Sequence, residues 1–90
     1  MKKVIKVTEV EGEGLEGLLG QRVLIMTAGY FYEGELEGVN TEYVKLADPH
    51  IVYETGSFSD KIYKDIQKLH KDEWYVHKGL IESFGVSKND

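Results

Sequence analysis

Apolar and polar side chains alternate over the ten positions 30–39. Tyr30, Tyr32, Gly34, Leu36 and Gly38 share one face, and Phe31, Glu33, Glu35, Glu37 and Val39 share the other. A period of two is that of a β-strand. The three carboxylates predict that their face is solvated. Glycine inside a strand weakens it but permits a sharp bend, so Gly34 and Gly38 on the inner face predict a strand that curves hard to close a small barrel. Shorter extended runs flank it. Residues 22–27 form one, followed by a turn at Ala28-Gly29. A loop over 39–42 leads into a strand over 43–47. Pro49 marks an edge or kink, and 50–54 resume an extended run. Residues 74–77 and 80–84 read as a last pair of strands around Lys78-Gly79.

The ends and one internal stretch carry other patterns. Residues 2–10 alternate β-branched and charged side chains and predict an N-terminal strand. An acidic turn over 11–14 follows, then one helical turn over 15–19 that stops at Gly20. In 56–72, Ile62, Ile66 and Leu69 fall on one helical face and Ser59 stands at the N-cap position, which favours a short helix over 60–69. The tail 86–90 is expected to fray. The expected fold is all-β: a small, strongly bent, five-stranded antiparallel barrel with an added N-terminal element and one short helix. A single domain covers residues 1–90, with its core in 15–85.

Size and charge narrow the function. A chain of 90 residues buries only about two thirds of its unfolded surface, so its core is thin and assembly would add stability. The absence of cysteine excludes disulfides and thiolate metal sites and fits a reducing, cytoplasmic setting. The run Val23-Leu24-Ile25-Met26 is too short to span a bilayer, and Lys6 and Glu9 interrupt the apolar stretch that a signal peptide needs. A formal net charge of −5 argues against a broad nucleic-acid-coating surface. Residues 1–58 hold five Lys or Arg against ten acids, whereas 59–90 hold six against six. An anion would therefore use the C-terminal third or a local pocket.

The order of these segments resembles the Sm-like family. Its first motif corresponds to Leu18-Leu19-Gly20-Gln21-Arg22-Val23, then Tyr32-Glu33-Gly34-Glu35-Leu36-Glu37-Gly38-Val39-Asn40, then Tyr43-Val44-Lys45-Leu46-Ala47-Asp48. Gly34, Leu36, Gly38 and Leu46 stand where that pattern wants them. The second motif corresponds to His77-Lys78-Gly79-Leu80-Ile81-Glu82-Ser83-Phe84, which is similar to the Lys-His version of bacterial Hfq and to the Arg-Gly of archaeal and eukaryotic members. The chain as a whole is most similar to short Sm-like proteins of cyanophage type. It departs from the family at Asn40, where Asp is usual, and in the loop 41–44, which is one residue shorter and lacks a Met-Asn pair. The resemblance implies an SH3-like barrel that closes into a cyclic homo-oligomer of about five to seven copies. It also implies an inner rim lined by the loops 40–43 and 77–79.

Four residues are therefore candidates for binding RNA or single-stranded DNA: Asn40, Tyr43, His77 and Lys78. Tyr43 offers a stacking face, and its ordinary role would be to cover the barrel. His77 stacks or donates to phosphate, or else is a strand histidine bonded to backbone. Lys78 meets a phosphate, or is a solvated turn lysine. Asn40 reads a base edge, or simply forms the turn. His70, Asp72, Glu73 and His77 match no zinc spacing, and no metal or other cofactor is expected. Gly12-Glu13-Gly14-Leu15-Glu16-Gly17 has dinucleotide-fingerprint spacing without the βαβ context that would give it meaning. Lys61, Lys64, Lys68 and Lys71 are diluted by Asp60, Asp65 and Asp72 and read as ordinary surface. The leading function is non-enzymatic nucleic-acid binding by a homo-oligomeric ring, as an RNA chaperone or processing factor, with no membrane partner. The rival is a ring that serves as a structural or protein adaptor, favoured by the acidic charge.

Overall fold

The structure of the protein, a computed structural model, describes residues 10–88. The strand expected over 2–10 lies, apart from Val10, outside the described residues. A one-turn helix α1 (Gly14–Gly17) leads into strands β1 (Arg22–Thr27), β2 (Phe31–Val39), β3 (Tyr43–Glu54), β4 (Asp65–Lys68) and β5 (Glu73–His77). A 3-10 turn (Lys78–Leu80) precedes β6 (Ile81–Val86). The pairing is antiparallel, in the order β4-β3-β2-β1-β6, and β5 also pairs with β3.

β4 and β5 are two parts of one arm laid along β3. Lys68 stands opposite His50 and Glu73 opposite Ala47. Between them the chain stays tied to β3 by Asp72, whose carbonyl accepts from the Asp48 N–H at 3.1 Å, and by Leu69, whose N–H donates to the Pro49 carbonyl at 2.9 Å. The expected five-stranded bent barrel is therefore present, with its fourth strand interrupted. Pro49 does not divide β3 as its position suggested. Asp48 takes a left-handed φ of 46°, a conformation that Asp tolerates better than most residues, and the strand bulges past the proline.

Two apolar clusters flank the sheet. Val23, Ile25, Leu36, Val44, Leu46 and Val76 fill the barrel, joined by Leu15, Leu18, Tyr32, Val39, Trp74 and Ile81. Leu24, on the opposite face of β1, packs with Val52, Tyr63, Met26, Phe31 and Ile66. β1 is thus covered on both sides, which explains its continuous apolar run.

The helix expected over 60–69 does not form. Helical spacing would bury Ile62, but that side chain is 72% exposed, and Tyr63, off the stripe, is the buried residue. The outer half of β3 presents an unpaired edge, and 65–68 satisfy it as a strand, with Ile66 opposite Val52. Backbone pairing and the burial of Tyr63 outweigh a stripe of only three apolar residues. Of the tail expected to fray, residues 86–88 are held in place, and 89–90 lie outside the described residues. Ser87 is buried, and its N–H donates to the Arg22 carbonyl at 2.9 Å.

Of the two glycines expected on the inner face of β2, Gly34 lies there and is the demanding one, whereas a register shift between Leu36 and Gly38 turns Gly38 outward opposite Lys45 and brings Val39, opposite Val44, to the core. A Cβ at Gly34 would lie 3.0 Å from the Ala47 carbonyl oxygen and 3.3 Å from both Leu46 Cβ and Pro49 Cα. At Gly38 the nearest atom would be Lys45 Cβ at 3.8 Å, an ordinary contact.

Candidate nucleic-acid interface

The β2–β3 turn is closed by Asn40. Its Oδ1 accepts from the N–H groups of Glu42 and Tyr43, both at 2.8 Å, and its own N–H donates to the Tyr43 carbonyl at 3.0 Å. This side-chain mimic of a backbone turn is the usual role of Asn in a tight loop. It fixes the point at which Tyr43 enters β3. The 3-10 turn after β5 docks on the same loop, because the Lys78 N–H donates to the Glu42 carbonyl at 2.8 Å. Register completes the arrangement, with Tyr43 directly opposite His77. All four candidate residues are therefore brought to one corner of the barrel.

A fifth residue joins them. Tyr75 lies two positions before His77 and so shares its face. Its ring meets that of Tyr43 edge-on, with centroids 5.1 Å apart and planes at 86°. Tyr43, Tyr75 and His77 line a surface recess of about 240 Å³. Sequence reading passed over Tyr75. The signal was its period-two relation to His77, but that became meaningful only with the Tyr43–His77 register.

Charge around the recess is mixed. Lys45 on β3 is held between Glu37 at 2.8 Å and Glu73 at 3.3 Å. Hydrogen bonds to those carboxylates, Glu37 first, raise its ammonium well above the ordinary lysine value. Its charge is already answered. Lys78 follows His77 directly in the chain and makes no ion pair among the described residues; its ammonium is a point charge suited to phosphate. The aromatic rings supply faces and edges for a planar ligand.

A second polar group lies elsewhere on the barrel, and its sequence signal was misleading. Glu33 was expected on a solvated face, yet it is fully buried, while Glu35 and Glu37 are exposed. Glu33 does keep the face of Glu35, since the β1–β2 ladder runs unbroken with Leu24 opposite Glu33 and Arg22 opposite Glu35. It is buried because its end of that face is covered by the cluster around Leu24 and Tyr63 and by Ser87. Arg22 meets the carboxylate in a fork, Nε to Oε2 at 3.0 Å and the second guanidinium nitrogen to Oε1. Ser87 Oγ donates to Oε2 at 2.9 Å, and Tyr63 Oη shares a hydrogen bond with Ser87 Oγ at 3.0 Å. His50 Nδ1 lies 3.5 Å from Oε1. Arg22 also reaches Asp48 Oδ2 at 3.1 Å and the Asp48 carbonyl at 3.0 Å. The hydrogen bond to Glu33 raises the Arg22 pKa, burial opposing it. Lys68, 3.1 Å away, holds the Asp48 carboxyl below its usual range. Among the described residues no buried side-chain polar atom lacks a partner. The cluster is closed and structural, whereas the recess is open.

The described residues contain no helix long and apolar enough to cross a membrane. No protein-family model matches the chain, and no curated protein matches it. Among solved structures, an Sm protein of Pyrococcus abyssii in complex with a uridine heptamer is similar, with a TM-score of 0.58 and 16% sequence identity. The match covers 81% of this chain and 92% of that one. The chain therefore has the Sm-like fold.

Proposed function

We propose that this protein is a non-enzymatic binding module, a cyclic homo-oligomer that holds RNA or single-stranded DNA at a rim formed by Asn40, Tyr43, His77 and Lys78, with Tyr75 completing the recess. The carrying observation is the docking of the 3-10 turn onto the Asn40 turn, which sets an aromatic recess beside a lysine without an ion pair. The uridine heptamer on the structurally similar Sm protein supports a nucleic-acid ligand. The residues His77-Lys78-Gly79 support placing the chain near the Hfq and cyanophage-type members, in a chaperone or processing role. An acidic chain repels RNA at long range. Affinity must then come from a few close contacts, repeated around the ring.

Purified protein is expected to bind labelled oligouridylate, oligoadenylate or single-stranded DNA at low salt. Base–aromatic stacking is worth about 1–3 kcal/mol per base, so Tyr43→Ala, Tyr75→Ala and Lys78→Ala should each weaken binding by about fivefold or more. Lys64→Ala is the control, because Lys64 pairs with Glu54 at 3.5 Å at the far end of β3. Its effect should stay within about twofold. An intact assembly that binds none of these ligands would leave the protein-adaptor reading in place.

The ring rests on open edges. Among the described residues β5 pairs only with β3, and β6 only with β1. Such edges invite a second chain, and head-to-tail pairing of β5 with a neighbour's β6 would close a cycle. Leu80, Phe84 and Val86 are 66%, 41% and 50% exposed and add an apolar row there. Because the Ser87 N–H points to β1, strand alternation turns the Phe84 N–H toward the free edge. Phe84→Pro removes that donor and leaves the β1 ladder in place. It should lower the assembled mass in light scattering more than Phe84→Ala does. Equal masses would remove the β6 edge from the interface.

A further inference from the structure

The far end of β3 from the recess leads into residues 55–63, and the C-terminal residues of the described chain reach back to this loop. Lys88 Nζ donates to the carbonyl oxygens of Thr55 and Ser57, both at 2.8 Å. The same nitrogen lies 4.8 Å from the centroid of Tyr63 and 5.8 Å from that of Phe58. Two carbonyls and two aromatic rings thus surround one ammonium.

The walls of this cradle are held independently of Lys88. Gly56 has a left-handed φ of 69°, which turns the backbone between the two carbonyl acceptors of the site. The Asp60 N–H donates to the Ser57 carbonyl at 3.0 Å, and the Ser57 and Ser59 hydroxyls share a hydrogen bond at 2.8 Å. Tyr63 is buried against Leu24 and Val52, and its hydroxyl bonds Ser87 Oγ. Phe58, by contrast, is 65% exposed, and the described structure shows it no apolar packing partner in either cluster.

We infer that loop 55–63 is a binding site for a primary alkylammonium group, occupied in this chain by its own Lys88. The chemistry matches that ligand class. A compact ammonium carries three N–H donors and a full charge. Two carbonyls take two donors, and the negative faces of Tyr63 and Phe58 attract the charge within cation–π range. A planar guanidinium presents its donors in a rigid fork and cannot direct two of them onto these carbonyls while lying equally close to both rings. Lys88 stands 33 and 31 residues from the two carbonyls, so the occupant can leave without breaking the loop's own bonds. An amine from outside the chain, such as a lysine side chain of another protein, competes for the same four groups.

The test uses the full chain and is independent of nucleic-acid binding. Lys88→Met keeps the length of the stem and removes the ammonium; Lys88→Ala empties the cradle. Both variants should fold, because Lys88 belongs to neither apolar cluster and Tyr63, the one cluster residue it meets, is held by Leu24 and Val52. In both, amide hydrogen exchange over 57–62 should speed up by about tenfold while β1 and β2 stay protected. Adding n-butylammonium chloride to Lys88→Ala should restore the slow exchange and shift the Phe58 and Tyr63 ring resonances along a saturating curve. Equimolar n-butanol should do neither. Parent-like exchange in Lys88→Met would show that the ammonium is not what holds the loop. Equal action of butylammonium and butanol would show an apolar slot and not an ammonium site. Either result overturns the inference.

Discussion

Arg22→Ala is expected to remove about 3 kcal/mol of stability, the low end of the range for breaking a buried ion pair, and to lower the melting temperature by more than about 10 °C. The effect comes from what the substitution leaves behind. Glu33 is fully buried, and Arg22 supplies the fork that answers its charge. Without it the carboxylate keeps the Ser87 hydroxyl, which carries no charge, and His50 Nδ1 at 3.5 Å. The Arg22 side chain is itself 23% exposed. Water can therefore enter the vacated space and soften the loss, which is why the low end is chosen. Arg22 also ties β1 to the Asp48 bulge, so its removal loosens β3 as well. Replacing both partners, as Arg22→Met with Glu33→Leu, should recover most of the loss, since two apolar side chains leave no buried charge. Thermal melts of the parent and the two variants decide the matter. A single variant that melts within about 2 °C of the parent would mean that Glu33 is not carried as a buried charge that needs its partner.

The contrast between this cluster and the rim shows what the amino-acid pattern could convey. The strand over 30–39, the run over 22–27 and the final pair around Lys78-Gly79 were legible because each rests on local alternation and turn residues. The same alternation misplaced Glu33. A period of two assigns a face but not what covers it, and the end of this face that holds Glu33 lies beneath Tyr63 and Ser87. Its partners stand 11 and 54 residues away, beyond any local pattern. The stretch 60–69 failed for a related reason. Its helical spacing is real, but the pairing edge that captured it belongs to β3, and sequence periodicity carries no information about a distant edge. The four candidate binding residues came from motif order, and the turn contacts bring them to one corner. Tyr75 needed the cross-strand register, because nothing in the sequence set it apart from the other strand tyrosines.

Gly34→Val should destabilise the barrel by about 3 kcal/mol or more, the upper part of the range for overpacking, whereas Gly38→Val should be close to neutral. Simple alternation puts the two glycines on one face, four residues apart, so sequence alone treats them alike. Their surroundings do not. The added Cβ at 34 meets the Ala47 carbonyl oxygen at 3.0 Å and Pro49 Cα at 3.3 Å. These are backbone atoms of the bulged part of β3 and cannot rotate aside. Gly34 also stands opposite Val23, which is fully buried, so a shift of β2 away from β3 would be resisted by β1. The γ-methyls of valine would press further into the same space. At 38 the added Cβ has only Lys45 Cβ near it, at 3.8 Å, and a β-branched residue in a strand regains the conformational entropy that glycine forfeits, about 0.5–1 kcal/mol on the scale of Gly against Ala. Urea unfolding with an unchanged slope would report the difference as a shift in midpoint. Gly34→Ala gives the smallest version of the clash and should fall between the parent and Gly34→Val. Equal midpoints for the valine variants at 34 and 38 would mean that the close approach of β2 to the Ala47–Pro49 bulge does not set the bend of the barrel.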